Sequence, residues 1–352
     1  MDLQSDITIN VPAFTFSSIS DETRAINIQV AALEAQSTIG SFVDVGAQKY
    51  REMMANGETV FPVPERLDVA EDLVLPRRDG EEIPIRVVRP KNGKTPRAVL
   101  LHIHGGGFVL MTHRDFDSRL QRWANECDVV AVSVGYRLAP EHPWPTPMDD
   151  TIDAAVYLAT HPSFLGAPLR LVSGESAGAC LAVQAVLHLT KTQPSHQLAG
   201  VVLPFGWFDL TNSMPSNVAN TNSVIVTHAG LGEYRQACLP DATAEAIRKA
   251  SPLHELGRML VAAEVADSQA IKLPPALFVC GTADPLFDDT VLMGVKWMAT
   301  GSEAVVKVVP GAAHAFTLFP GYSLGEQANA LVVQYMKQRL DSLELGGDLS
   351  TA

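Results

Sequence analysis

Two rhythms of apolar residues run along this chain. Short, almost continuous apolar runs recur at 98–104, 129–134, 169–173, 199–205, 276–280 and 305–309. Runs of this length without polar alternation predict strands covered on both faces. Between and after them, apolar residues fall at helical spacing over 149–160, 177–189, a stretch ending at 298, and 325–343. Strand followed by helix, repeated in this way, predicts a mostly parallel central sheet with helices on both faces. Ahead of the series, 67–75 and 83–88 read as two strands around a turn at Arg78-Asp79-Gly80.

Two segments fall outside this alternation. Residues 20–56 predict one or two helices, with Ser20 as N-cap and Asp21 and Glu22 in the first turn. Ala25, Ile28, Ala32, Leu33 and Ile39 follow at mostly helical spacing, and Pro62 and Pro64 end the pattern. From about Thr211 to Lys272 no strong strand signal occurs. A polar, turn-rich opening (Asn212, Ser213, Pro215, Ser216, Asn217) leads into a helical stretch at 242–249. An insertion of this size between core strands often serves as a lid. The expected organisation is an N-terminal helical part of a cap at 1–65, an α/β core at 66–210 and 273–352, and an inserted cap segment at 211–272.

Charge and cysteine content narrow the partners. With 26 basic against 39 acidic residues the net charge is −13, which counts against a polyanion such as nucleic acid. No run approaches the roughly 18–20 uncharged apolar residues that span a bilayer. Met1-Asp2-Leu3-Gln4-Ser5-Asp6 lacks the basic start and apolar run of a secretory signal. The expected setting is the cytoplasm, without stable membrane insertion. Cys127, Cys180, Cys238 and Cys280 are widely spaced and form no C-x-x-C pair. They read as buried small hydrophobes rather than as a zinc site or a disulfide framework.

The sharpest chemical signal is Gly174-Glu175-Ser176-Ala177-Gly178, placed between a strand and a helix. A serine on such a corner needs small neighbours, and its hydroxyl is presented at the positive end of the helix that follows. Ser176 is therefore the candidate nucleophile. The second signal is His104-Gly105-Gly106-Gly107-Phe108, directly after a strand. Acyl transfer develops an oxyanion that needs preorganised N–H donors, and consecutive glycines let a loop turn its amides inward. Ala177, just after the nucleophile, supplies a further amide. The run lacks the G-x-x-x-x-G-K and G-x-G-x-x-G spacings of phosphate-binding loops.

A nucleophilic serine needs a base, and the base an orienting acid. Of ten histidines, His314 in Pro310-Gly311-Ala312-Ala313-His314-Ala315-Phe316 is best placed, between the last strand and the last helix. His102 and His104 read as structural. For the acid, Asp284 in Gly281-Thr282-Ala283-Asp284-Pro285-Leu286 follows the preceding strand and fits the chain order Ser…Asp…His. Asp209, one strand earlier, is the rival. Asp288 and Asp289 read as first-turn residues of the next helix.

With these residues in place the sequence resembles the hormone-sensitive-lipase-like esterases of the α/β-hydrolase fold, over roughly residues 75–345. His104-Gly105-Gly106-Gly107 matches that group's oxyanion motif, and YRLAPEHPWP at 136–145 matches a second, mainly structural signature. Asp284-Pro285-Leu286 and His314-Ala315-Phe316 match the acid and base regions. The resemblance implies a cap built from the N-terminal helices and the insert. It also implies a Ser176–His314–Asp284 triad, with an oxyanion hole at Gly105, Gly106, Gly107 and Ala177. There the amides of Gly106, Gly107 and Ala177 bind the oxyanion and Gly105 fixes the loop. One position departs from the group: Glu175 stands where Asp is usual. The implied activity is hydrolysis of small or short-acyl esters, with no cofactor or metal. A lactonase, amide deacylase or acyltransferase with the same triad is the main alternative. A binding protein is a lesser one, because plant gibberellin receptors resemble the group but lack the histidine found here. Relatives are said to pair through an edge strand, so a homodimer is a possible state.

Overall fold

The computed structural model describes residues 9–37, 39–220, 223–265 and 272–346. Its first helices are α1 (Asp21–Ala35), α2 (Phe42–Val45) and α3 (Ala47–Ala55). Ser20 caps α1 as expected, its side chain accepting from the Thr23 amide. The stretch predicted as one or two helices is broken in three. Gly46, at φ +88°, turns the chain between α2 and α3, a conformation that suits glycine.

The core follows as β1 (Glu71–Pro76), β2 (Glu82–Val88), β3 (Ala98–Ile103), α4 (Asp117–Cys127), β4 (Val129–Val134), α5 (Thr146–Thr160), β5 (Leu169–Gly174), α6 (Ala177–Thr192) and β6 (Gly200–Pro204). The insert then contributes α7 (Pro215–Ala219), α8 (His228–Cys238), α9 (Ala244–Ala250) and α10 (Pro252–Val265). The core resumes with β7 (Ala276–Gly281), α11 (Phe287–Ala299), β8 (Ala304–Val309) and α12 (Ser323–Glu344).

The strands form one sheet in the order β1-β2-β4-β3-β5-β6-β7-β8. β1 and β2 pair antiparallel with each other, β2 pairs antiparallel with β4, and every later neighbour is parallel. β3, β4, β6 and β7 are buried at every residue, as their unbroken apolar sequences require. One apolar cluster lies between the sheet and α5, α6 and α11; a second lies between the sheet and α4 and α12. Parallel strands place their following loops at one edge, so the loops after β3, β5, β6, β7 and β8 converge there.

β1 begins at Glu71 rather than at Leu67. The reason is local. The Leu67 amide donates to Asp117 Oδ2 at 2.8 Å and its carbonyl accepts from Arg86 at 3.1 Å, so neither group is free for a ladder. The helix α4 adds to the elements expected from the sequence; Leu120, Trp123, Ala124 and Cys127 are buried at helical spacing within its charged sequence. In the insert the stretch expected at 242–249 is α9, capped by Thr243, and it is one of four helices among the described residues there.

The N-terminal helices and the insert touch both the core and each other. The Thr23 hydroxyl lies 2.7 Å from that of Tyr322, and Asn27 donates to the Gly311 carbonyl at 2.8 Å. Arg51 donates to the Val109 carbonyl. Glu34 accepts from the Ile225 amide, and the rings of Phe42 and Tyr234 stack at 4.9 Å. Among the described residues no helix is long and apolar enough to cross a membrane.

Candidate active site

Ser176 sits on the corner between β5 and α6 at φ +54°, ψ −122°, a conformation an L-residue adopts only when its surroundings enforce it. Here they do. The Ser176 amide donates to the Pro204 carbonyl, and the Ser176 carbonyl accepts from the Trp207 amide. The flanking glycines are required by space. A Cβ on Gly174 would lie 2.4 Å from the Gly178 carbonyl oxygen, and one on Gly178 would lie 2.1 Å from that of Ile103.

The loop after β8 brings His314 to this corner. The Ser176 hydroxyl donates to His314 Nε2 at 3.0 Å, and His314 Nδ1–H donates to Asp284 Oδ2 at 2.9 Å. The other oxygen of Asp284 accepts from the Leu286 amide at 2.8 Å. Asp284 is fully buried and His314 nearly so, packed edge-on against Phe205 at 5.1 Å. In so dry a setting the acid holds one tautomer of the imidazole and leaves Nε2 to face the serine.

Asp209 lies elsewhere. Its carboxylate accepts from the Thr211 amide and hydroxyl and from His254 Nε2 at 3.1 Å, and makes no bond to His314. Asp288 and Asp289 occupy the first turn of α11, as expected. Asp289 is buried, accepting from the amides of Phe208 and Asp209. Burial, with the nearby Asp209 charge, pushes its carboxyl well above the usual range.

The glycine loop follows β3. The Gly105 amide donates to Glu175 Oε1 at 3.1 Å, so of the four expected oxyanion-hole residues Gly105 spends its N–H on the loop itself. The amides of Gly106, Gly107 and Ala177 have no acceptor among the described residues. Gly106 and Gly107 both take positive φ, +97° and +63°. A side chain on Gly106 would strike the Leu110 carbonyl, and one on Gly107 would strike the Tyr234 ring from the insert.

His104 is fully enclosed, stacked on Tyr136 at 4.2 Å, and its Nδ1–H donates to the Gly105 carbonyl. Burial lowers its pKa to about 3, so it stays neutral. Glu175 is buried too. Burial alone would raise its carboxyl, but the His102 ring, Arg119 and the Gly105 N–H together hold it below the ordinary value. Sequence reasoning did not find Tyr136, Tyr234 or Arg119 as neighbours of the site. Tyr136 was legible only as the first residue of the 136–145 signature.

A cavity of about 560 Å³ is lined by Ser176, His314 and Gly105–Gly107 at its base. Its apolar walls come from α1 (Ile26, Val30, Leu33), from α3 and the segment after it (Met54, Phe61), and from the insert (Ile225, Val226, Leu231, Tyr234).

Comparison with known proteins places the chain in a family. Residues 100–318 match the family model of the α/β-hydrolase fold. Over 78% of its length the chain is 30% identical to the ethyl acetate hydrolase of Pseudomonas putida, covering 84% of that protein. A 111-residue stretch, 31% of this chain and 14% of its counterpart, is 34% identical to the hormone-sensitive lipase of Mus musculus. The structure of a hyperthermophilic esterase from the archaeon Pyrobaculum calidifontis superposes with a TM-score of 0.75 at 27% identity, over 89% of this chain and 97% of that one. The chain belongs to the α/β-hydrolase family, within its hormone-sensitive-lipase-like group of esterases.

Proposed function

We propose that the protein is a serine carboxylesterase that hydrolyses small or short-acyl esters through an acyl-enzyme. The observation that carries this reading is the unbroken hydrogen-bond chain Asp284–His314–Ser176, beside backbone amides without acceptors. In this reading Ser176 Oγ attacks the ester carbonyl while His314 Nε2 takes its proton. Asp284 stabilises the imidazolium that forms. The amides of Gly106, Gly107 and Ala177 receive the oxyanion, each worth about 3–4 kcal/mol in the transition state. His314 then protonates the leaving alcohol, and water activated by the same ring releases the acid. The N-terminal helices and the insert act as the cap that shapes the cavity. Its volume of about 560 Å³ suits a small-molecule substrate. The unpaired, buried state of all four cysteines supports a reducing, cytoplasmic setting.

The test is hydrolysis of p-nitrophenyl esters from C2 to C12, with and without a serine-directed organophosphate, followed by mass spectrometry of the labelled protein. The expected result is label on Ser176 and turnover that favours short chains. Label without ester turnover redirects the reading to lactones, amides or acyl transfer on the same triad. Absence of label overturns the nucleophile.

A further inference from the structure

Glu175 precedes the nucleophile and takes no part in the mechanism above, yet it is a carboxylate only 2% exposed. A buried charge is retained at a desolvation cost unless its partners answer it. Its partners belong to the machinery on three sides. Oε1 accepts from the Gly105 amide at 3.1 Å. Oε2 accepts from His102 Nε2 at 2.9 Å, and the far nitrogen of that ring lies 3.0 Å from Ser133 Oγ. Arg119 Nη1 stands 4.0 Å from Oε2, and Arg119 Nη2 donates to the carbonyl and hydroxyl of Thr317, three residues beyond His314.

The Gly105 bond matters because of what lies on the other side of the same peptide. Tyr136 O–H donates to the His104 carbonyl at 2.8 Å. The His104–Gly105 peptide is thus gripped at its C=O by Tyr136 and at its N–H by Glu175. The next two residues are glycines at positive φ, which have the widest backbone freedom of any residue. Their amides point consistently only if the peptide before them is fixed from outside.

We infer that Glu175 is a positioning residue for the oxyanion loop, aiming the amides of Gly106 and Gly107 by holding the Gly105 N–H. The inference rests on the esterase reading of the same site. Its effect falls on the transition state, where the oxyanion exists, and leaves ground-state binding of the ester unchanged.

The experiment compares wild type, Glu175→Gln and Glu175→Ala for kcat and KM on one short p-nitrophenyl ester, and for binding of phenylboronic acid, whose serine adduct is tetrahedral. Glu175→Ala should lower kcat by about 100-fold and weaken the boronic acid by a similar factor, with KM within threefold. Glu175→Gln keeps an oxygen for the Gly105 amide but loses the charge that strengthens the bond. It should lose about 3–10-fold in both readings, a partial rescue. Should Glu175→Ala fail to fold, the Glu175→Gln values decide. Unchanged kcat and boronate affinity in a folded variant overturn the inference, as does a loss confined to KM. A wild-type protein with neither turnover nor boronate binding overturns the esterase reading instead.

Discussion

Two buried aspartates after neighbouring strands each hold a histidine, and only one of the two histidines reaches a serine. After β7, Asp284 binds His314 at 2.9 Å; after β6, Asp209 binds His254 at 3.1 Å. Distance therefore does not separate them. The difference lies in which nitrogen is taken. Asp284 engages Nδ1, and the outer nitrogen, Nε2, reaches Ser176. Asp209 engages Nε2, the outer nitrogen itself, so His254 has only the one beside its own backbone to offer. Exposure differs as well. The His314 side chain is 4% exposed, the His254 side chain 35%. Asp209 also spends its oxygens on Thr211 and Ser213. An acid–histidine pair becomes a general base when its free nitrogen faces a nucleophile and water is kept out. The second pair ties α10 of the insert to the core.

The largest effect should come from Ser176→Ala. It should lower kcat by about 10⁶-fold with little change in melting temperature, and His314→Ala combined with it should add little. Steady-state ester hydrolysis and calorimetry read both. Next, Asp284→Asn should cost about 10⁴-fold in kcat by releasing the wrong tautomer. Asp209→Asn should stay within about threefold of wild type in kcat and instead lower stability by about 1–3 kcal/mol, as a buried network loses its acceptor. Equal, mild losses of activity in the two variants would erase the distinction drawn above.

The smallest effect concerns Asp289, whose burial beside Asp209 raises its pKa. A raised native pKa means that the folded chain holds a proton the unfolded chain releases above about pH 4. The stability it contributes is present below that point and lost as pH rises. Asp289→Asn keeps the acceptor for the Phe208 and Asp209 amides and removes the titration. Its melting temperature relative to wild type should climb as pH rises above about 4, the ordinary carboxyl value. A pH-independent offset would mean that Asp289 does not titrate in this range.

The sheet was legible because its parallel strands are buried on both faces. The runs at 129–134 and 276–280 need no knowledge of their neighbours to be read as strands. The strand-to-helix corner at Ser176 was legible because sterics leave so few residue types possible at Gly174 and Gly178. Asp284 and His314 were found by chain order, and geometry then separated Asp284 from Asp209. What the sequence left hidden is contact between residues distant in the chain. Glu175 reaches Gly105 and His102, some 70 residues upstream, and Tyr234 closes over Gly107 from the insert. Ile28 sits at helical spacing with its apolar neighbours, yet it is 70% exposed on α1. Nothing in local periodicity tells which side of an N-terminal helix meets the core.

The cavity draws its walls from α1, from the insert near residue 230 and from the loop around His314. Those pieces span almost 300 residues of chain. A ribosome making this protein from its N-terminus therefore releases the Ser176 corner and the glycine loop long before His314 exists. The cavity stays open on one side until the residues beyond 314 emerge. Loop closure over such separations is among the slower steps of folding. Completion of the pocket therefore waits on the residues around His314, which follow β8 in the chain.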